Sequence, residues 1–409
     1  MDSSLRSWTV DLLARLVQIP SITGQETAIQ DFLSERLAAL SLQLDRWCPT
    51  RDDLASHPAF SDDGLPLGDR PVIVARWQGS HQDARSLILN AHVDVVPVGD
   101  ERAWSDGGPW SGACRDGFVW GRGSCDMKAG LVAAMAAIHA LQSDGAKPRG
   151  DVTLQCVIGE ESGGAGTLAA VMRGYRADAA IVLEPTRLAI CPVGAGAASF
   201  RLYIPGKAAH GAMRGEGVSA IEKFYVVAGA LARFERARQS NFRHSFYAPD
   251  QLVAPLSIGK IVAGDWPSTV PDSLIAEGRY GILPGENIAD ARELFEQAVS
   301  EAAKSDDWLR DHPPVVEWFE GQFEPAATPA DAPIIAALAK AHHRVLGLDP
   351  KVQGVSYGSD LRFFTNNANM HAVLYGPGDV RLAHSVDERV SVDEVIHCAE
   401  VLSHLILEW

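Results

Sequence analysis

The chain has 409 residues, 46% of them hydrophobic and 22% charged, with 37 glycines and 23 prolines. This is a globular profile with enough apolar residues for a sizeable core, and it excludes a disordered or low-complexity chain; at roughly 150 residues per domain it allows two or three domains. The 36 basic and 52 acidic side chains leave a formal charge of −16, which argues against a nucleic-acid backbone or an anionic membrane surface as partner.

Residues 7–20 predict an amphipathic helix that stops at Pro20, and 25–40 a second helix, before a polar loop rich in Asp and Pro at 50–70. The start has an acidic residue at position 2 and charges inside its apolar stretch, so no signal peptide is expected. The six cysteines are scattered without a CxxC pair, which suggests reduced thiols in a cytoplasmic protein. Strands over 72–77, 86–96, 152–159 and 179–185 alternate with helices over 127–143 and 163–173. The longest apolar segment, Ala129 to Leu141, is too short to span a bilayer. Nearly continuous apolar strands alternating with helices predict an α/β fold with a mixed, largely parallel sheet and helices on both faces.

The texture changes near 197. SFRLYIPG (199–206) alternates apolar and polar residues as a half-exposed strand does, a helix follows over 217–238, then two antiparallel strands, a helix over 287–303 and a strand over 315–321. An α+β domain over 197–321 is therefore expected to interrupt a domain made of 1–196 and 322–409. The first texture resumes with a helix at 332–346, a strand at 371–375 and a closing helix at 391–408.

His92 and Asp94 stand at the end of the 86–96 strand, where i, i+2 spacing puts them on one face. A carboxylate so placed can orient an imidazole that binds metal, though a plain polar pair at a strand end reads equally well. Asp126 follows a glycine-rich turn in WGRGSCDMKAG, which is not a dinucleotide fingerprint because Asp126 stands where the third glycine belongs. Glu160 and Glu161 follow the 152–159 strand; in isolation they read as a solvated loop pair, but a metal could hold one carboxylate and leave the other as proton acceptor. Glu184 ends the next strand, and His384 lies in a Gly/Pro loop with acidic neighbours. His210, in GKAAHGAM, is a weaker case, since a glycine-flanked histidine is often a turn residue. One His, one Asp and two Glu of this set thus fall at the ends of three or four consecutive strands, with His384 far downstream, and open α/β sheets build their sites at the carboxyl ends of strands. Mixed His and carboxylate donors suit Zn²⁺, Co²⁺ or Mn²⁺.

The ordered set AHVDVVP, GRGSCDMKAG, GEESGGAG, LEPT, KAAHGAM and AHSVDE resembles the M20 metallopeptidase and deacylase family, and most of all its acetylornithine deacetylase and succinyl-diaminopimelate desuccinylase branch. The resemblance implies a zinc-exopeptidase-like fold with an inserted lid and dimerisation domain, and two divalent metal ions, zinc first and cobalt or manganese as alternatives. It implies that Asp126 bridges the metals, that His92 and Glu184 complete one site, and that Glu161 and His384 complete the other. Asp94 would orient His92, Glu160 would be the general base, and His210 would reach the partner subunit's active site in a homodimer. Arg279, Ser268, Thr269, Gly358 and Ser359 would contact substrate, although WPSTVPD carries Ser268 and Thr269 where relatives often have Asn. The expected activity is hydrolysis of the amide bond of an N-acyl amino acid. A metallo-exopeptidase, dipeptidase or aminoacylase acting on a short peptide or related substrate is the alternative within the family; a non-catalytic metal-binding protein would have lost Glu160 or a ligand.

Overall fold

The computed structural model describes residues 2–105 and 107–409. Two compact units divide them: one takes the chain up to Pro192, Ala327–Gln353 and Ser359–Trp409, the other Val193–Ala326 and Gly354–Gly358. The first crossing thus lies at 192/193 rather than 196/197, the return lies at 326/327 rather than 321/322, and residues 354–358 go with the second unit. The strands Ile190–Gly194 and Gly196–Pro205 follow one another with one residue between them, so no loop marks the border in the sequence.

The sheet of the first unit runs in the order Gln43–Trp47, Val72–Trp77, Val152–Val157, Leu87–His92, Ala179–Val182, His371–Leu374, Ile190–Gly194, Ala326–Ala327. The four strands from Val152–Val157 to His371–Leu374 are mutually parallel, while Gln43–Trp47, Val72–Trp77 and Ile190–Gly194 pair antiparallel. Every residue of Leu87–His92 is buried, as expected of a strand covered on both faces. This strand is shorter than the apolar run that predicts it: after Val93 N donates to Val157 O the chain stays buried but leaves the ladder, and Val95 N donates to Ser21 O instead.

Helix Ala129–Ser143 is buried over most of its length and lies against the sheet at Gly130, where a Cβ would stand 2.2 Å from the Leu183 carbonyl oxygen. The run Ser124–Ser143 has the length and apolarity to cross a membrane, yet 89% of it is packed inside the unit, as in a core helix. Helix Ser3–Val17 starts earlier than the apolar pattern suggests because Asp2 caps it, accepting from Leu5 N at 2.8 Å. At its other end the buried Lys128 Nζ donates to Leu16 O at 3.0 Å and Ile19 O at 3.1 Å, so an ammonium closes the carbonyl end of a helix. The expected 50–70 loop contains one short helix, Arg51–Leu54, held by a reciprocal Thr50–Asp53 cap.

The second unit is a four-stranded antiparallel sheet in the order Leu256–Ala263, Ser273–Ile282, Gly196–Pro205, Val315–Phe323. Alternate residues of Gly196–Pro205 are buried, and Phe200, Leu202 and Ile204 pack with Phe224 of helix Ala220–Asn241 and Phe295 of helix Ile288–Lys304.

Candidate metal centre

Three of the four parallel strands deliver acidic or imidazole groups at or just past their carboxyl ends, and the loop after the fourth brings His384 to them. His92 is the last residue of its strand and is buried. Its Nδ1 is 2.9 Å from the main-chain oxygen of Asp94, a contact that makes Nδ1 a donor, so that the neutral ring would carry its lone pair on Nε2. Nε2 stands 3.2 Å from Asp126 Oδ1 and 3.9 Å from Glu184 Oε1. The Asp94 carboxylate plays a different part from the one expected. It lies 3.8 Å from Nδ1 and accepts instead from Thr23 Oγ1 at 3.1 Å and from the main-chain N–H groups of Glu160 and Glu161, both at 3.2 Å. Asp94 thus orients His92 through its carbonyl, and its carboxylate pins the Glu160–Glu161 turn.

Asp126 comes from the irregular turn Ser124–Lys128 ahead of helix Ala129–Ser143; the glycines before it, Gly121 and Gly123, take φ of 132° and 81°, where a side chain is disfavoured. The peptide between Asp126 and Met127 is cis. The two carboxylate oxygens of Asp126 face opposite ways: Oδ1 towards His92, and Oδ2 towards His384 Nε2 at 3.6 Å. His384, at φ 57°, also has Nε2 3.1 Å from Glu161. Among the described residues, two sets of donor atoms lie within 4.8 Å of one another: His92, Glu160 and Glu184, and His92, Asp126 and Glu161.

The electrostatics follow from burial. Burial pushes Glu160 and Glu184 well above the usual carboxylate range, with Glu184 adding to it for Glu160 and Asp126 for Glu184; Glu161 is raised by burial as well. Burial works against a charged His92, but the hydrogen bond to Asp126 and the charges of Glu184, Asp94 and Glu160 raise it well above its ordinary value. His384 is raised to about 9, first by its hydrogen bond to Glu161. Cations held among these carboxylates would relieve the mutual repulsion that, with burial, raises them. The donor set, imidazole and carboxylate without thiolate, fits divalent ions such as Zn²⁺, Co²⁺ or Mn²⁺.

Further charged groups surround this cluster. Glu388 is buried and accepts from Asp126 N, and Asp360 is raised to about 6 by burial while it accepts from Thr167 Oγ1 at 2.5 Å. Arg70, buried, makes a two-point contact with Glu26 and lies 3.5 Å from Asp63, which accepts from Ser162 Oγ at 2.7 Å. The 50–70 stretch therefore braces the turn that carries Glu160 and Glu161. Glu388 closes the AHSVDE motif and Asp360 follows Gly358 and Ser359 in YGSDL; Arg70, Glu26 and Asp63 carry no spacing signal.

The remaining expected residues divide between the units. Ser359 is buried in the first, its Oγ accepting from Leu361 N at 3.3 Å. His210, Ser268, Thr269, Arg279 and Gly358 are in the second. There His210 and Thr269 form a β-bridge, and Gly211 N donates to Ser268 O at 2.6 Å, so the Ser268–Thr269 main chain backs the His210 segment. His210 Nδ1 accepts from Ala212 N at 3.1 Å, which leaves Nε2 as the ring's donor. Arg279 is half-buried, and its Nη2 donates to Ser356 O at 3.2 Å. Gly358 packs so closely that a Cβ would stand 2.4 Å from Phe323 Cβ.

Residues 88–408 match the profile of Peptidase family M20/M25/M40. The chain is 28% identical over 414 aligned residues, 96% of this chain and 92% of the relative, to the N-formyl-4-amino-5-aminomethyl-2-methylpyrimidine deformylase of Bacillus subtilis (strain 168). It is 29% identical over 361 residues, 87% of this chain and 88% of the relative, to the acetylornithine deacetylase of Myxococcus xanthus. In fold it is similar to a di-peptidase from Saccharomyces cerevisiae, with a TM-score of 0.76 and 17% identity over 98% of this chain and 96% of the other.

Proposed function

This chain belongs to peptidase family M20/M25/M40 and is a hydrolase of amide bonds; from that premise we propose that it removes the acyl group of an N-acyl amino acid or related N-acyl amine, using two divalent metal ions. The observation that carries this reading is that Asp126 faces two imidazoles, Oδ1 that of His92, which has Glu184 at 3.9 Å, and Oδ2 that of His384, which has Glu161 at 3.1 Å. That arrangement offers two adjoining ligand sets with one shared member. Bound there, the ions would polarise the acyl oxygen and acidify a water.

The chain's own residues supply the proton traffic. Glu160, raised by burial and held by Asp94 through its main-chain N–H, takes a proton from the attacking water and passes it to the leaving amine. His210 Nε2, left as a donor by the Ala212 contact, would stabilise the oxyanion in the partner subunit. Arg279 would meet a substrate carboxylate, and Ser268, Thr269, Gly358 and Ser359 would contact substrate. A homodimer is supported by the outer strand of the second unit's sheet, Leu256–Ala263, which exposes Ile261 and Val262 at 50% and 57%. A cytoplasmic location belongs to the same reading.

The test is turnover of N-formyl, N-acetyl and N-succinyl amino acids beside plain dipeptides, with chelated protein refilled with Zn²⁺, Co²⁺ or Mn²⁺. Metal-restored cleavage of one N-acyl class is expected. Cleavage confined to dipeptides would move the chain to the exopeptidase alternative.

A further inference from the structure

Two of the motifs that carry the family resemblance contain a charged residue with no part in the proposed chemistry. These are Arg122 in GRGSCD and Glu388 in AHSVDE. They form an ion pair, Arg122 Nη1 to Glu388 Oε2 at 2.6 Å, with side chains 3% and 1% exposed. Their other side-chain hydrogen bonds go to the main chain in or near segments that carry the candidate ligands, and the guanidinium also lies over the Trp104 ring. Glu388 Oε1 accepts from the N–H of Cys125 at 2.9 Å and of Asp126 itself at 3.1 Å. Arg122 Nη1 also donates to the carbonyl of Ser385, beside His384, at 3.3 Å, and Nη2 donates to the carbonyl of Pro97, just past Asp94, at 3.3 Å.

A buried ion pair adds little net stability, because the desolvation of both charges offsets their attraction. What this one provides is geometry. The segments it joins turn through left-handed positions: glycine takes them freely at Gly121 (φ 132°) and Gly123 (φ 81°), whereas His384 (φ 57°) and Asp387 (φ 61°) hold a conformation that their side chains disfavour. A guanidinium reaches a carboxylate and two separate carbonyls at once from one rigid plane, which an ammonium cannot do. We propose that Arg122 and Glu388 are positioning residues that set Asp126 against His384, and so set the spacing of the two halves of the metal centre.

This inference rests on the reading of Asp126 and His384 as metal ligands. Metal-free wild type, Glu388→Gln and Arg122→Lys are titrated with Co²⁺ against a competing chelator while the visible Co²⁺ absorption is recorded. Wild type should take up two ions. Each variant should bind about 10–100-fold more weakly, as when other supports of metal ligands are removed, with altered absorption bands. Variants that match wild type in affinity and spectrum, and differ only in melting temperature, would show a structural pair and overturn the inference while leaving the metal centre standing. A wild type that takes up no Co²⁺ would overturn the centre and this inference with it. Arg122→Lys keeps the charge and loses only the fork, so it decides the matter should Glu388→Gln fail to fold.

Discussion

Asp94 presents two hydrogen-bonding faces that its position in the sequence does not separate: a carbonyl on the imidazole of His92 and a carboxylate on the turn of Glu160 and Glu161. The Asp94→Asn variant keeps the first and weakens the second. Turnover should therefore fall much further than metal affinity, and the opposite order would mean that the carboxylate serves His92 after all. In Glu160→Ala, turnover should drop by about 10²–10⁴-fold while metal content stays unchanged, as for loss of a general base; retained turnover would take that role from it. The raised groups also predict proton release. His384, at about 9, is protonated at neutral pH without metal, and an ion can bind only after the proton leaves. Calorimetric titration at pH 7 in two buffers of different ionisation heat should show protons released on loading and affinity that falls as pH falls. At this scale the sequence showed the acidic and imidazole groups because each ends a strand or opens a glycine turn. Glu388 and Arg122 could not be paired from it, because 266 positions separate them and only the fold brings them together.

The elements were legible where a local rule governs them. Helices Ala220–Asn241, Ile288–Lys304 and Val392–Glu408 begin at Ser219, Asn287 and Ser391, whose side chains cap them, and the period of their apolar residues marks their length. Strand ends were not legible, because Asp94 and Val95 remain buried after leaving the ladder and so continue the strand's pattern. Gly130 links an element to the site. Helix Ala129–Ser143 approaches the sheet at Leu183, one residue before Glu184, and a methyl group there would push directly on the Leu183 carbonyl. Gly130→Ala should destabilise by about 1–3 kcal/mol, as overpacking does, measured as a lower melting temperature, and should weaken metal binding through Glu184. An unchanged melting temperature would mean that helix and sheet can separate at no cost.

At the scale of the whole molecule, the metal-free protein carries a buried cluster of like charges, and its stability should depend on pH in one direction. His384 has a folded value of about 9 against an ordinary value near 6.5, so its contribution is complete below 6.5 and is lost as pH rises through about 9. Burial raises Glu160, Glu161 and Glu184, so ionising them in the folded state also costs stability as pH rises. The melting temperature of chelated protein should therefore fall between pH 6.5 and 9, and metal should remove most of that fall; a flat profile would place the cluster in solvent. The two-domain plan was legible because alternating strands differ from continuous apolar ones, but the return of residues 354–358 to the second unit leaves no compositional trace.

The strand His371–Leu374 is nearly the last to be made, yet it lies inside the sheet between Ala179–Val182 and Ile190–Gly194. On the ribosome, the first half of that sheet must wait with an open slot while the whole second unit is synthesised. The second unit's sheet, complete by Phe323, can close before the slot is filled. Any message that stops short of residue 371 leaves two unpaired strand edges exposed, a state that aggregates readily.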